Sequence, residues 1–495
     1  MTADTARLLF PAIRWNADDA SYDDYRPTIQ DGTTLGVGGY IIFGGTADAV
    51  RALTAELRDR SPHPLLIGAD LERGAGQQFR GATALPPPAA LARLDDLEVS
   101  RRAGEVTARE ALAMGINWVY APVADLDLEP ENPIVGSRAF GDDPAVAARH
   151  VAAWIDGCRA AGALACAKHF PGHGRTTSDS HLQLPTVDAT EAELETDLVP
   201  FRAAIEAGVD SLMTAHVAYP ALDPSGAPAT LSRPILTGLL RERLGYDGLI
   251  VTDALIMEGV TGGGAGEPEA AVQAVAAGCD ALLYPRDLAG IARALEAARG
   301  GALDEGLVAS AVARIEAAAA RVGEGAVQDA TGGQGAGRWG GEEDGEWALG
   351  LAARALDPLR GHPGCGGSVE VVTVDDDVGG PFPVGPRDAF PAALREAGVN
   401  VREVGRATGE LPVVIALYAD IKGFKGRPGL SETAIETVAT AVTAPRGATV
   451  VLFGHPRMAG DTPGAHVLCA WGGEPLMQRA AARWLAARPD PSASA

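Results

Sequence analysis

Short apolar runs bounded by Gly, Pro or Asp recur through the first part of the chain. They are Leu8–Ile13, Gly39–Phe43, Leu65–Ala69, Asn117–Pro122, Ala163–Ala167, Ser211–Ala215, Leu249–Thr252 and Ala281–Tyr284. Each is short, often β-branched and continuous rather than alternating, which predicts a strand buried on both faces. Between most of them lie amphipathic stretches rich in Ala, Glu and Arg. The clearest are Ala47–Arg60, Leu97–Met114, Pro144–Ala161, Glu191–Ala207, Arg233–Leu244 and Glu267–Ala277. Eight strand–helix alternations in about 300 residues predict a (β/α)8 barrel.

The pattern changes near Val322. A Gly-rich stretch with little to bury, residues 324–347, reads as a linker. It divides a barrel domain, residues 1–323, from a smaller domain, residues 348–489, with a tail at 490–495. In the smaller part apolar runs return at Val369–Val374, Val401–Val404, Pro412–Tyr418, Thr449–Phe453 and His466–Trp471. Helical stretches intervene at Arg387–Ala397, Glu432–Val442 and Pro475–Ala487, which predicts an αβα sandwich with a largely parallel sheet. No phosphate-binding P-loop is present. The glycine-rich Gly361–Gly367 precedes its strand rather than following it, so no dinucleotide fingerprint is read and no cofactor is expected.

Composition narrows the function classes. The chain has 495 residues, with 41 Lys and Arg against 65 Asp and Glu, a formal charge of −24. That balance argues against nucleic acid and anionic membranes as partners, since both select basic surfaces. The five cysteines, Cys158, Cys166, Cys279, Cys365 and Cys469, are scattered and have no CxxC spacing. They predict neither a disulfide framework nor a zinc knuckle and fit a reducing compartment. No run approaches the length of a membrane span, so a cytoplasmic location is expected.

Candidate chemistry gathers where a barrel keeps it, at the C-terminal ends of the strands. Strand three ends at Asp70 and Glu72, strand four near Asp125, strand five at Lys168 and His169, strand six at His216 and strand seven at Asp253. An open doubly wound sheet does not explain so many polar ends on one rim. Residues 168–181 place one lysine, three histidines and one aspartate in a loop that Pro171, Gly172 and Gly174 keep from being helical. Asp179 and His181 stand two residues apart, a spacing that lets a carboxylate orient an imidazole as a general acid/base. Taken singly, Asp253 could be a turn residue and His181 a surface side chain; as a functional group Asp253 is a candidate nucleophile at an anomeric carbon. His173 is read as a possible brace of the loop. A zinc site through His169 and His173 is disfavoured, because Pro-Gly between them prevents helical spacing and no Glu follows the first His.

The run Lys168–Gly174 followed by Asp179-Ser180-His181 resembles the signature of glycoside hydrolase family 3, in its β-N-acetylglucosaminidase branch. Further similarity covers Gly115–Asp125, Asn132-Pro133 with Gly136–Gly141, and Thr252–Met257, spanning roughly residues 5–320. The resemblance implies a retaining hydrolase that releases terminal β-linked N-acetylglucosamine from small carbohydrate substrates, muropeptide fragments among them. It assigns Asp253 as nucleophile, His181 as acid/base and Asp179 as its partner. Asp70, Arg138, Lys168, His169 and, from its place at the end of strand six, His216 would hold the sugar. One departure stands out: family members commonly carry Asp-x-Glu-Gly-Gly-Arg after strand three, where this chain has Asp70-Leu-Glu72-Arg73-Gly74. The alternatives that stay open are phosphorolysis, β-glucosidase activity and a non-catalytic carbohydrate-binding role.

Overall fold

The computed structural model describes residues 4–261, 266–322, 339–377 and 385–488. The chain forms two compact units. The first holds Met1–Ala84, Leu97–Leu126 and Asp142–Glu342; the second holds Leu85–Asp96, Asp127–Gly141 and Glu343–Ala495.

In the first unit all eight expected strands are present. Strand one runs in two pieces, Leu9–Phe10 and Ala12–Arg14, interrupted at Pro11, which has no N–H to give the ladder. Strands two to eight are Gly39–Phe43, Leu66–Ala69, Trp118–Val119, Leu164–Phe170, Ser211–Thr214, Leu249–Val251 and Leu282–Leu283. Each pairs in parallel with its sequence neighbour from one to seven. The ring closes through a parallel bridge from Val251 to Ala281 and the pairing of Leu9 and Phe10 with Leu282 and Leu283. The interior is filled by Phe10, Ala12, Ile41, Leu66, Trp118, Cys166, Met213, Val251 and Leu283, side chains taken from alternate positions of successive strands.

The helices follow the expected pattern with two differences. The stretch expected as one helix from Glu191 to Ala207 is two, Glu191–Asp197 and Val199–Glu206, because Pro200 lacks the N–H that would continue the first. Pro234–Arg243 is wound as a π-helix, ending with Leu244 N–H donating to Leu239 O at 2.9 Å.

The second unit contains a six-stranded sheet in the order Asp357–Arg360, Val467–Cys469, Ala448–Gly454, Val413–Ala419, Ser368–Asp375 and Asn400–Glu403. The last five are mutually parallel and the first is antiparallel to its neighbour. Asp357–Arg360 was not foreseen; Pro358 masks it, yet an edge strand tolerates proline. One face of the sheet, including Ile415, Leu417, Val450 and Leu452, packs on Val438 and Ala441 of the helix Glu432–Ala441. Most of the Gly-rich stretch expected as a linker, residues 323–338, lies outside the described residues, and a helix occupies Glu342–Ala355.

Two excursions from the barrel chain belong to this second unit. In the first, Ala89 and Ala90 pack with Ala355, Cys469 and Trp471, and Arg93 pairs with Asp357 at 2.7 Å. In the other, Asp127 is held by Arg457 and by His455 Nε2 at 3.2 Å, while Arg457 Nη1 donates to the carbonyls of Glu129 and Pro130. Among the described residues no helix is long and apolar enough to cross a membrane.

Candidate active site

Strand five supplies the densest part of the site. Its seven residues, Leu164–Phe170, are all buried. Lys168 follows Cys166 on the inward face, so the pleat carries a cation to the barrel mouth. A buried ammonium is costly without counter-charge. Here Lys168 Nζ lies 2.7 Å from Asp70 Oδ1 and 2.8 Å from Glu72 Oε1. Glu72 is almost fully enclosed, whereas the Asp70 side chain keeps 28% of its exposure and can still meet a ligand.

His169 is fixed by Asp125. Its Nδ1 lies 2.7 Å from Asp125 Oδ2, and its backbone N–H donates to Asp125 Oδ1 at 3.1 Å. The backbone N–H of His173 donates to the same oxygen at 2.7 Å. Burial pushes the Asp125 carboxyl up, but His169 and His173 outweigh it and hold the group below its ordinary value. Because a carboxylate only accepts, the proton on His169 is placed at Nδ1. Asp125 lies at a strand end noted from sequence, yet its part as organiser of the loop was not foreseen.

Beyond strand five the loop is built by close packing. Gly174 approaches Leu126 so tightly that a Cβ there would fall 1.8 Å from Leu126 O, so only glycine fits. Tyr219 Oη donates to Gly172 O at 2.6 Å, and Arg175 pairs with Asp197 at 2.9 Å. His173 is enclosed, with Nδ1 2.9 Å from Thr176 Oγ1 and Nε2 3.0 Å from Ser180 Oγ. Burial lowers its pKa to about 4, which keeps it neutral near pH 7. The bracing role considered for His173 agrees with these contacts.

Asp179 and His181 form a close pair. Asp179 Oδ1 accepts from His181 Nδ1 at 2.7 Å and from the His181 backbone N–H at 2.9 Å. Asp179 is buried, while the His181 side chain is about one-quarter exposed, at 27%. The residue between them is tied to strand seven's loop: Gly259 N–H donates to Ser180 O at 3.0 Å. Thus the spacing in sequence becomes a fixed imidazole with one nitrogen committed to the carboxylate.

Asp253 follows the inward-facing Val251 at the end of strand seven. Desolvation raises its pKa, but His169, His216 and His181 act on it together with the Ala254 N–H at 2.7 Å. The balance sets it at about 2. The carboxylate is therefore ionised across the neutral range, with His169, His216 and His181 all within electrostatic reach of it. His216 is fully buried. Its Nδ1 meets Thr230 Oγ1 at 2.7 Å and its Nε2 meets Ala254 O at 3.1 Å, so it grips the residue next to Asp253. Burial lowers the His216 pKa and favours the neutral ring.

Seven of the eight expected residues, Asp70, Lys168, His169, Asp179, His181, His216 and Asp253, thus lie in the first unit. Arg138 lies on a 3-10 turn, Gly136–Arg138, in an excursion that packs with the second unit. That excursion is shaped by Asn132 Oδ1, which accepts from Ile134 N at 2.9 Å and Val135 N at 2.8 Å, and Arg138 Nη1 donates to Ile134 O at 3.2 Å. Among the described residues no three His, Cys, Asp or Glu side chains group as metal ligands.

Comparison with known proteins identifies the family. Residues 29–318 match the glycosyl hydrolase family 3 N-terminal domain. A β-hexosaminidase of Tolumonas auensis is 42% identical over 268 residues, covering 52% of this chain and 79% of that protein. The solved structure of a family 3 β-N-acetylglucosaminidase from Paenibacillus sp. FPU-7 superposes with a TM-score of 0.85 at 29% identity, covering 98% of this chain and 96% of that one. A β-glucoside phosphorylase superposes with a TM-score of 0.85 at 25% identity, covering 99% of this chain and 93% of that one. The chain therefore belongs to glycosyl hydrolase family 3 and is a glycosidase of its β-hexosaminidase branch.

Proposed function

We propose that the protein removes terminal β-linked N-acetylglucosamine with retention of anomeric configuration. What supports this reading is an ionised carboxylate, Asp253, within electrostatic reach of His181, an imidazole whose Nδ1 is held by Asp179. In the first step an Asp253 oxygen bonds to the anomeric carbon as the bond to the leaving oxygen breaks. The imidazolium of His181 gives its Nε2 proton to that oxygen. In the second step neutral His181 takes a proton from water, whose oxygen replaces Asp253 at the anomeric carbon. Asp179 keeps Nδ1 protonated throughout and compensates the charge on the ring.

Asp70, Lys168 and His169 would hold the sugar hydroxyls by charge-assisted hydrogen bonds, and Arg138 is assigned to the same task by its motif. His216 would serve the sugar through the Asp253 turn that it grips. N-acetylglucosaminides, including cell-wall fragments, are the proposed substrates, and the scattered cysteines support a cytoplasmic setting.

Phosphorolysis is a second reading, supported by the likeness to a β-glucoside phosphorylase. A histidine base is neutral after it gives up its proton and does not repel an anionic acceptor. Turnover of 4-nitrophenyl N-acetylglucosaminide with and without phosphate tests both readings. Free N-acetylglucosamine as the main product under both conditions supports hydrolysis, and sugar 1-phosphate as the main product overturns it.

A further inference from the structure

Every second residue of a barrel strand points inward. Counting up from interior Gly68, Cys166 and Val251, the next inward positions are Asp70, Lys168 and Asp253. The same count from interior Ala12 and Ile41 reaches Arg14 and Phe43, which are paired across strands one and two. Arg14 and Phe43 thus belong to the same layer at the barrel mouth as the groups already described.

Tyr284 joins them from strand eight. The Arg14 guanidinium carbon lies 4.0 Å from the centre of the Phe43 ring and 5.0 Å from that of Tyr284. Arg14 Nε donates to Tyr284 Oη at 2.5 Å. The two rings are 5.7 Å apart, and both pack on the barrel's interior cluster. Tyr284 has a left-handed backbone, φ 53°, which is rare for a bulky residue and marks sites where geometry is imposed. It departs from the strand alternation and sets its ring beside Phe43. The preceding Leu283 carbonyl accepts from Leu255 N–H at 3.0 Å, so this wall adjoins the turn that carries Asp253. Arg14, Phe43 and Tyr284 are all partly exposed.

In a ring of eight, strand one stands across from strand five. Asp70, Lys168 and His169, on strands three and five, present charge and suit the hydroxyl-bearing C2–C4 edge of a pyranose. The opposite edge of that ring carries C5 and C6, a C–H surface with one exocyclic hydroxyl. Two aromatic rings and one guanidinium match this edge: the rings cover the C–H surface and the guanidinium meets the hydroxyl. We infer that Arg14, Phe43 and Tyr284 form a wall that selects the C5–C6 edge of the bound pyranose. The inference rests on the glycosidase reading of the same site and adds the specificity-determining residues to it.

The test compares 4-nitrophenyl β-N-acetylglucosaminide with its 6-deoxy counterpart. The wild type is expected to favour the former in kcat/KM by about tenfold, the scale of one hydrogen bond to a charged group. Arg14→Ala is expected to bring the two substrates within about twofold, by loss on the 6-hydroxy substrate alone. Tyr284→Phe, which removes the hydroxyl holding Arg14 Nε, is expected to shift the ratio the same way by less. Should Arg14→Ala fail to fold, Tyr284→Phe and Arg14→Lys decide by the same ratio. Equal loss on both substrates in a folded variant, or a wild type that does not discriminate, overturns the wall. Inactivity of the wild type on both substrates overturns the glycosidase reading instead, and the wall with it.

Discussion

His173 Nε2 lies 3.0 Å from Ser180 Oγ, and Ser180 is the residue between Asp179 and His181. A buried imidazole thereby pins the centre of the Asp-Ser-His turn, while its backbone N–H reaches back to Asp125, the carboxylate that also fixes His169. One residue connects the loop that carries the proposed acid/base to the C-terminal end of strand five.

This connection makes the loop sensitive to acid. The folded His173 pKa is about 4 against an ordinary 6.5, so the unfolded chain binds the extra proton between those values. The stabilisation is fully present above about pH 6.5 and is lost as the pH falls through about 4. Melting temperature measured from pH 7 to pH 4 is expected to fall, and His173→Asn is expected to be less stable at pH 7 with a shallower slope over that window. An unchanged slope in the variant would show that other groups carry the acid sensitivity.

The Asp179–His181 pair predicts a dependence on the leaving group. Asp179→Asn removes the charge that holds Nδ1–H and supports the imidazolium. A loss of about 10²–10³ in kcat/KM, which reports the first step alone, is expected on a poor leaving group such as a second sugar. With 2,4-dinitrophenolate, which departs without a proton, the loss is expected to be tenfold or less. Equal losses on both substrates would remove His181 from acid catalysis.

Glu72 predicts a change in sugar binding without contact to the sugar. It shares Lys168 with Asp70, so Glu72→Gln leaves Asp70 as the nearer full counter-charge and draws the ammonium toward it. KM is expected to rise severalfold with kcat less affected, and stability to fall by about 1–3 kcal/mol. Steady-state kinetics with a urea titration measures both.

Several of these groups were legible before the fold was known, for a physical reason. Strands buried on both faces appear as short apolar runs, and a charge at the end of such a run, as at Asp70, Lys168 or Asp253, stands out against it. Arg14 and Phe43 did not stand out. Arg14 reads as the polar flank of its run and Phe43 as its last apolar residue, and only the inward count across paired strands joins them. Tyr284 depends on a backbone conformation that no periodicity reports. The placement of Leu85–Asp96 and Asp127–Gly141 with the second unit was equally hidden, because contacts such as Arg457 with Asp127 join residues far apart in the chain. The edge strand Asp357–Arg360 was masked by its proline.

Asp253 predicts a separation of fold from activity. Its carboxylate, with a pKa of about 2, is charged throughout the working range, so it does not supply an acid limb between pH 4 and 7. Asp253→Ala is expected to lose at least about 10⁴ in kcat/KM while keeping a cooperative melt. Activity close to wild type in that variant would remove Asp253 from the reaction.

The most direct measurement is covalent trapping. A 5-fluoro N-acetylglucosaminyl fluoride carries a good leaving group and slows the second step by destabilising positive charge at the anomeric carbon. Mass mapping after brief exposure is expected to find one sugar on the peptide containing Asp253, and none in Asp253→Ala. A label on another residue, or turnover that gives inverted product with no adduct, would contradict the account.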